Sequence, residues 1–212
     1  MTPTLGRRLA NSVGIAGLLV SVTLIICAWR VCQKPRLSSG DLPSSGASDA
    51  VATRTRVPEA GGVPLRLQIP SLSIDAPIIA VTSEASGALA VPDDVRLVGW
   101  WSGGATPGAN EGTVVLDGHV DSRTRGTGAL FPLRHIRIGA SLDLVESHMK
   151  VRYRVVALRE YAKDQLPSEL FRVDGPPHLS IITCGGAFNY KTRHYEDNVV
   201  AYAVAAPNSL RS

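Results

Sequence analysis

The chain has 212 residues, a formal net charge of +4, 44% apolar residues, 19% charged residues and 5% aromatic residues. That length holds one substantial domain or two small ones, and the apolar share is ordinary for a folded protein. The basic residues are scattered, with no interleaved basic and aromatic platform, so the composition argues against nucleic-acid binding.

Residues 1–10 carry Arg7 and Arg8 and precede an uncharged run, residues 11–29, "NSVGIAGLLVSVTLIICAW". Nineteen helical residues at about 1.5 Å each reach about 28 Å, close to the thickness of a bilayer core. Trp29 ends the run where an interfacial aromatic belongs. No small-x-small cleavage site closes the run, and Ile26 rather than a small residue precedes Cys27, so a cleaved signal and a lipoprotein signal both fit poorly. The expectation is an uncleaved single-pass anchor with residues 1–10 in the cytoplasm. Arg30, Lys34 and Arg36 nearly balance the positive charge on the other side. Orientation then follows from the downstream domain, because long domains cross largely regardless of flanking charge.

Residues 30–62 contain a Ser-, Gly- and Pro-rich stretch with no sustained period, expected to be a flexible stalk about 30 Å long. From residue 63 the pattern changes. "VPLRLQI", "GTVVLDG", "SLDLVES", "KVRYRVVALRE", "HLSIITC" and "NVVAYAVA" read as short strands punctuated by Gly, Pro, Asp and Asn. Tyr153, Val155 and Ala157 alternate with Arg152, Arg154 and Val156, which predicts one buried face. Only "SELFR", residues 168–172, suggests a helical turn. About eight short strands over residues 63–206 predict an all-β domain, a closed barrel or a sandwich, followed by a tail at 207–212.

Three cysteines are present: Cys27, Cys32 and Cys184. An odd count flags a free thiol or an intermolecular bridge. Cys184 ends an apolar run and is followed by Gly185 and Gly186, so it stands where the chain turns and a peptide backbone could approach. A lone cysteine is most often a small buried hydrophobe; nucleophilic use requires a proton partner and an oxyanion donor. Of five histidines, His119 stands in "GTVVLDGHVDS", also at the end of an apolar strand. His194 is the one near Cys184 in sequence, and His135, His148 and His178 lie in loops or turns. Arg193, in the loop after the Cys184 strand, is the candidate oxyanion donor, since a guanidinium stays charged. Asp117, two residues before His119, is expected to point to the opposite face and to be structural. Thr183 is a weaker candidate for substrate positioning through its backbone. No residue set has the spacing of a metal centre.

Taken together, "GTVVLDGHVDS", "LSIITCGGAFNYKTRHYEDNVVAYA" and the N-terminal run resemble the sortases of Gram-positive bacteria, most closely the class F enzymes of actinobacteria. The likeness extends in order through "LRLQIPSLSIDAPI", "GALAVPDDVRLVGWWSGGATPGANEGTVVL" and "GALFPLRHIRIGASLDL", covering about residues 63–206. The resemblance implies an eight-stranded sortase-type β-barrel and a cysteine transpeptidase that needs no cofactor. It implies cleavage of an LPXTG-type sorting signal between Thr and Gly through a thioacyl intermediate. An amine, commonly that of lipid II, then resolves the intermediate and attaches the surface protein to the wall. By position, Cys184 matches the nucleophile, His119 the general acid and base, and Arg193 the arginine. The better-known classes carry the arginine further on, near what is here Asp197-Asn198, where this chain has none. The resulting expectation is a monomeric membrane-anchored enzyme with an extracellular catalytic domain. A cysteine endopeptidase with the same acyl-enzyme and a non-catalytic wall-binding module are the alternatives.

Overall fold

A computed structural model describes residues 36–43, 62–84, 88–147 and 149–211, all within one unit, Arg36–Ser212. The expected anchor, residues 11–29, lies outside the described residues.

Eleven strands follow in chain order: β1 (Ser38–Gly40), β2 (Arg66–Ile69), β3 (Ile74–Val81), β4 (Val98–Trp101), β5 (Thr113–Gly118), β6 (Asp121–Ser122), β7 (Gly126–Thr127), β8 (Ser141–Val145), β9 (Lys150–Ala162), β10 (His178–Asn189) and β11 (His194–Arg211). The large sheet runs β1-β9-β11-β10-β5-β4-β3-β2-β8, and β8 pairs again with β9. That last pairing closes eight strands, β2–β5 and β8–β11, into a barrel without open edges. β6 and β7 form a separate two-stranded ribbon just after β5. Helical structure among the described residues is confined to three 3-10 segments, Pro70–Leu72, Phe131–His135 and Ser168–Phe171. The last is the turn expected from "SELFR".

The barrel interior is filled by Leu67, Ile69, Leu116, Leu142, Leu179 and Ile181, all fully buried. Removing one of these, as in Leu116→Ala, costs about 2–5 kcal/mol because the cavity cannot fully collapse. A second cluster, Val115, Leu170, Ile182, Val200 and Tyr202 with Ala157, covers the outside of the wall. β5 and β10 pair in parallel with apolar residues on both faces, and this explains their unbroken apolar runs.

Three local differences from the sequence reading have physical reasons. β3 and β4 were not singled out as strands, because Pro77 interrupts one and the other is only four residues long. On β9 the expected alternation holds from Val151 to Val155, but the β11 register shifts between Tyr202 and Ala203. The bulge at Val156 turns Ala157 to the outer cluster and Leu158 inward. Finally, part of the expected stalk is not free. Residues 38–40 add β1 antiparallel to β9, with Ser39 opposite Leu158. Arg159 donates to the carbonyls of Ser39 and Gly40, and Glu160 exchanges hydrogen bonds with Leu37.

Candidate active site

The site is built by the β5–β10 register. The pairs run from His178↔Thr113 to Thr183↔Gly118. The ladder ends one residue before Cys184 on β10 and one residue before His119, which follows the end of β5. Thr183 locks this level of the ladder, its buried hydroxyl donating to the Gly118 carbonyl at 2.8 Å. Its side chain therefore joins the two site strands, and its backbone lies between Gly118 of β5 and Val199 of β11. His119 is held from the other side, where its carbonyl accepts from the Leu130 amide at 3.3 Å.

Alternation along β10 places Cys184 on the outer face, and alternation along β5 does the same for Val115 and Asp117, with His119 the first residue beyond the strand. Cys184 follows Ser180 and Ile182, and His119 follows Val115 and Asp117. Asp117 lies on the outer face of β5, and the expected opposite facing does not follow from its spacing to His119, because residues two apart in a strand point the same way. It is buried, it pairs with Ile182 across the sheet, and neither of its carboxylate oxygens has a hydrogen-bond partner. Burial pushes its carboxyl up to about 7.

Cys184 is free and partly exposed. Its thiol does not hydrogen-bond to a histidine among the described residues; the Lys163 ammonium donates to Sγ at 2.9 Å. The same ammonium donates to Asn198 Oδ1 at 2.8 Å. Asn198 is the β11 residue paired with Cys184, so both point to one face. Lys163 arrives from the end of β9, its amide donating to the Glu196 carbonyl at 3.2 Å. Sequence reading missed it, because it stands 21 residues before Cys184 in a strand-end loop with no motif. A second tie crosses the site: the Tyr195 hydroxyl donates to Asp121 just beyond His119. That hydrogen bond, with burial and the nearby charges of Asp121 and Cys184, pushes the Tyr195 phenol up to about 12.

Behind the thiol, the strand bulges between Gly185 and Phe188. Gly186 has φ +73°, and a Cβ there would meet Asp197 Oδ2 at 2.1 Å, so only glycine fits this turn.

Arg193 is exposed in the β10–β11 turn at φ 59°, its amide donating to the Asn189 carbonyl at 2.7 Å. Among the described residues its side chain makes no hydrogen bond or ion pair. The turn lies beyond the bulge, five residues along β10 from Cys184, or roughly 16 Å of extended strand. His194 pairs with Asn189 at the same turn and is exposed. His178 is held at the opposite end of β10, between Thr113 Oγ1 and the Pro176 carbonyl. His135 is exposed in a 3-10 segment, and His148 lies outside the described residues.

Known structures share this architecture. Sortase C1 of Streptococcus agalactiae in complex with MTSET is 23% identical, over 67% of this chain and 68% of that one, with a TM-score of 0.51. Sortase C-1 of Actinomyces oris is 19% identical, over 67% and 73%, with a TM-score of 0.52. A lid mutant of sortase A from Corynebacterium diphtheriae is 15% identical, over 69% and 71%, with a TM-score of 0.53. No curated protein matches the chain. At these identities the structures speak for the fold. The sortase domain model matches residues 67–206, spanning every barrel strand from β2 onward except its first residue and the end of β11, and with that match the chain belongs to the sortase family.

Proposed function

We propose that this sortase-family cysteine transpeptidase is class F-like and cleaves an LPXTG-type sorting signal between Thr and Gly. The observation that carries the reading is the β5–β10 register, whose last pair, Thr183 and Gly118, consists of the residues immediately before Cys184 and His119. The sulfur attacks the Thr carbonyl carbon, forming a C–S bond and an oxyanion. The tetrahedral intermediate collapses, the C–N bond breaks, and the glycine nitrogen leaves with the electron pair and a proton from His119. An incoming amine then attacks the thioacyl carbon, His119 takes its proton, and the sulfur leaves. Lipid II is the expected amine. The catalytic domain acts outside the cell, anchored by residues 11–29. Arg193 enters this scheme from the family resemblance alone, as a donor to the substrate or the oxyanion.

The test is intact mass spectrometry of the full-length chain incubated with an LPXTG peptide, with and without a glycine-type amine. The expected result is a mass gain equal to the acyl fragment, discharged to an amide product by amine and absent in Cys184→Ala. His119→Ala should slow acylation by about 10²–10⁴-fold. Discharge to water in preference to amine would indicate an endopeptidase. Absence of any adduct from folded, reduced protein would leave a binding module.

A further inference from the structure

We propose that Lys163 is a catalytic residue: its ammonium holds Cys184 as the thiolate that attacks the substrate. This rests on the transpeptidase reading for its purpose, though not for its chemistry. The contact is direct, with Nζ 2.9 Å from Sγ. A cation at that distance favours the charged form of a thiol, and the thiolate is the nucleophile.

The surroundings say why this lysine serves the sulfur and not a carboxylate. Three acids lie on the strand segments around it, and each is engaged elsewhere. Asp197 is paired with Arg36 at 3.2 Å. Glu160 Oε2 accepts from the Leu37 amide at 3.1 Å. Glu196 Oε1 accepts from Asn189 Nδ2 at 3.4 Å. Asp121, on the His119 side, takes the Tyr195 hydroxyl. Lys163 itself touches the neutral Asn198 amide and the thiol. Asp164, the next residue in the turn, is exposed, and the hydrogen bonds of the Lys163 ammonium go to Sγ and Asn198 rather than to that carboxylate. The Asn198 carbonyl oxygen tethers the flexible lysine stem, and Asn198 is buried and set by its pairing with Cys184. An exposed lysine held at two points loses less of its effect to motion than one held at a single point.

The assignment divides the labour of the site. Lys163 carries the charge on sulfur, and the thiol proton passes to solvent or to the His119 imidazole when the pair forms. His119, in its protonated form, is then available for proton delivery to the leaving nitrogen. No proton need cross between Cys184 and His119 during attack, in keeping with the thiol's hydrogen bond to lysine.

The experiment is alkylation of Cys184 by iodoacetamide in the full-length chain at neutral pH, read by peptide mass spectrometry. Lys163→Gln and Lys163→Met remove the charge, Lys163→Arg keeps it, and Lys191→Ala removes an exposed lysine charge from the β10–β11 turn. Thermal unfolding of each variant checks the fold. The expected result is Cys184 alkylation slowed about tenfold or more in both neutral variants, restored by Lys163→Arg and unaffected by Lys191→Ala. Unchanged alkylation in either folded neutral variant overturns the proposal, as does a loss in Lys191→Ala equal to that in Lys163→Gln. The readout needs no peptide substrate. If no peptide acylates the wild type while loss of Lys163 slows alkylation, the transpeptidase reading falls and the ion pair stands. If acylation and amine discharge proceed while alkylation ignores Lys163, the reverse holds.

Discussion

Asp117 sits in the barrel wall beneath His119 with both carboxylate oxygens buried and unpartnered. Burial raises its carboxyl from 3.8 to about 7, against a smaller opposing pull from its own backbone amide. The folded chain therefore binds this proton more tightly than the unfolded chain. Stability is least affected below pH 3.8, falls as pH rises from 3.8 to 7, and stays lowered above 7. The full penalty is about 4 kcal/mol by the size of the shift, of which about 2–3 kcal/mol develops between pH 5 and pH 8. Asp117→Asn should flatten that loss in urea unfolding at the two pH values; an undiminished pH dependence would assign it to other groups. The neighbouring strand already makes room for the carboxyl. A Cβ at Gly99 would meet Asp117 Oδ1 at 2.2 Å, so Gly99→Ala should destabilise the wall at every pH. The strand ends that carry Cys184 and His119 were legible at this scale. Cys184 and His119 each stand at the end of an apolar run next to glycine, which is what a rim position looks like in sequence. Lys163 had no such mark, because its role comes from a neighbour two strands away.

Among the elements, β1 is the least visible in sequence. Ser38–Gly40 has no apolar residue to bury, and its partner on β9 lies about 120 residues on. What holds it is backbone pairing plus the Arg159 guanidinium on two β1 carbonyls. Arg159→Ala should cost about 1 kcal/mol and expose residues 36–43 to limited proteolysis ahead of the barrel. Cleavage no faster than in the wild type would mean that the ladder alone secures the strand. The β10–β11 hairpin shows the opposite case. Its two strands were plain from their apolar content, but the bulge after Gly185, which leads into the turn that carries Arg193, was not. Short side chains at Gly185 and Gly186 signal that something must approach closely. They do not say that the something is Val199 at Gly185 and Asp197 at Gly186.

For the molecule as a whole, alternation and turn residues identified most barrel strands but not their neighbours. The order β11-β10-β5 and the parallel sense of β10 with β5 are tertiary facts. Their only local trace is that both runs are apolar on every residue that must face a covered side. This arrangement also sets when the protein becomes reactive. Thr183 and Gly118, the last pair of the β5–β10 ladder, are 65 residues apart. Non-local parallel pairing of this kind is slow to form, on the order of milliseconds to seconds. A chain synthesised only as far as residue 177 already contains His119 and Lys163 but no nucleophile, and one ending at residue 193 has the nucleophile without Asn198 to tether the lysine. Sulfur chemistry thus emerges last, as a by-product of finishing the barrel, and an immature chain carries an ordinary cysteine that has little to offer a passing electrophile.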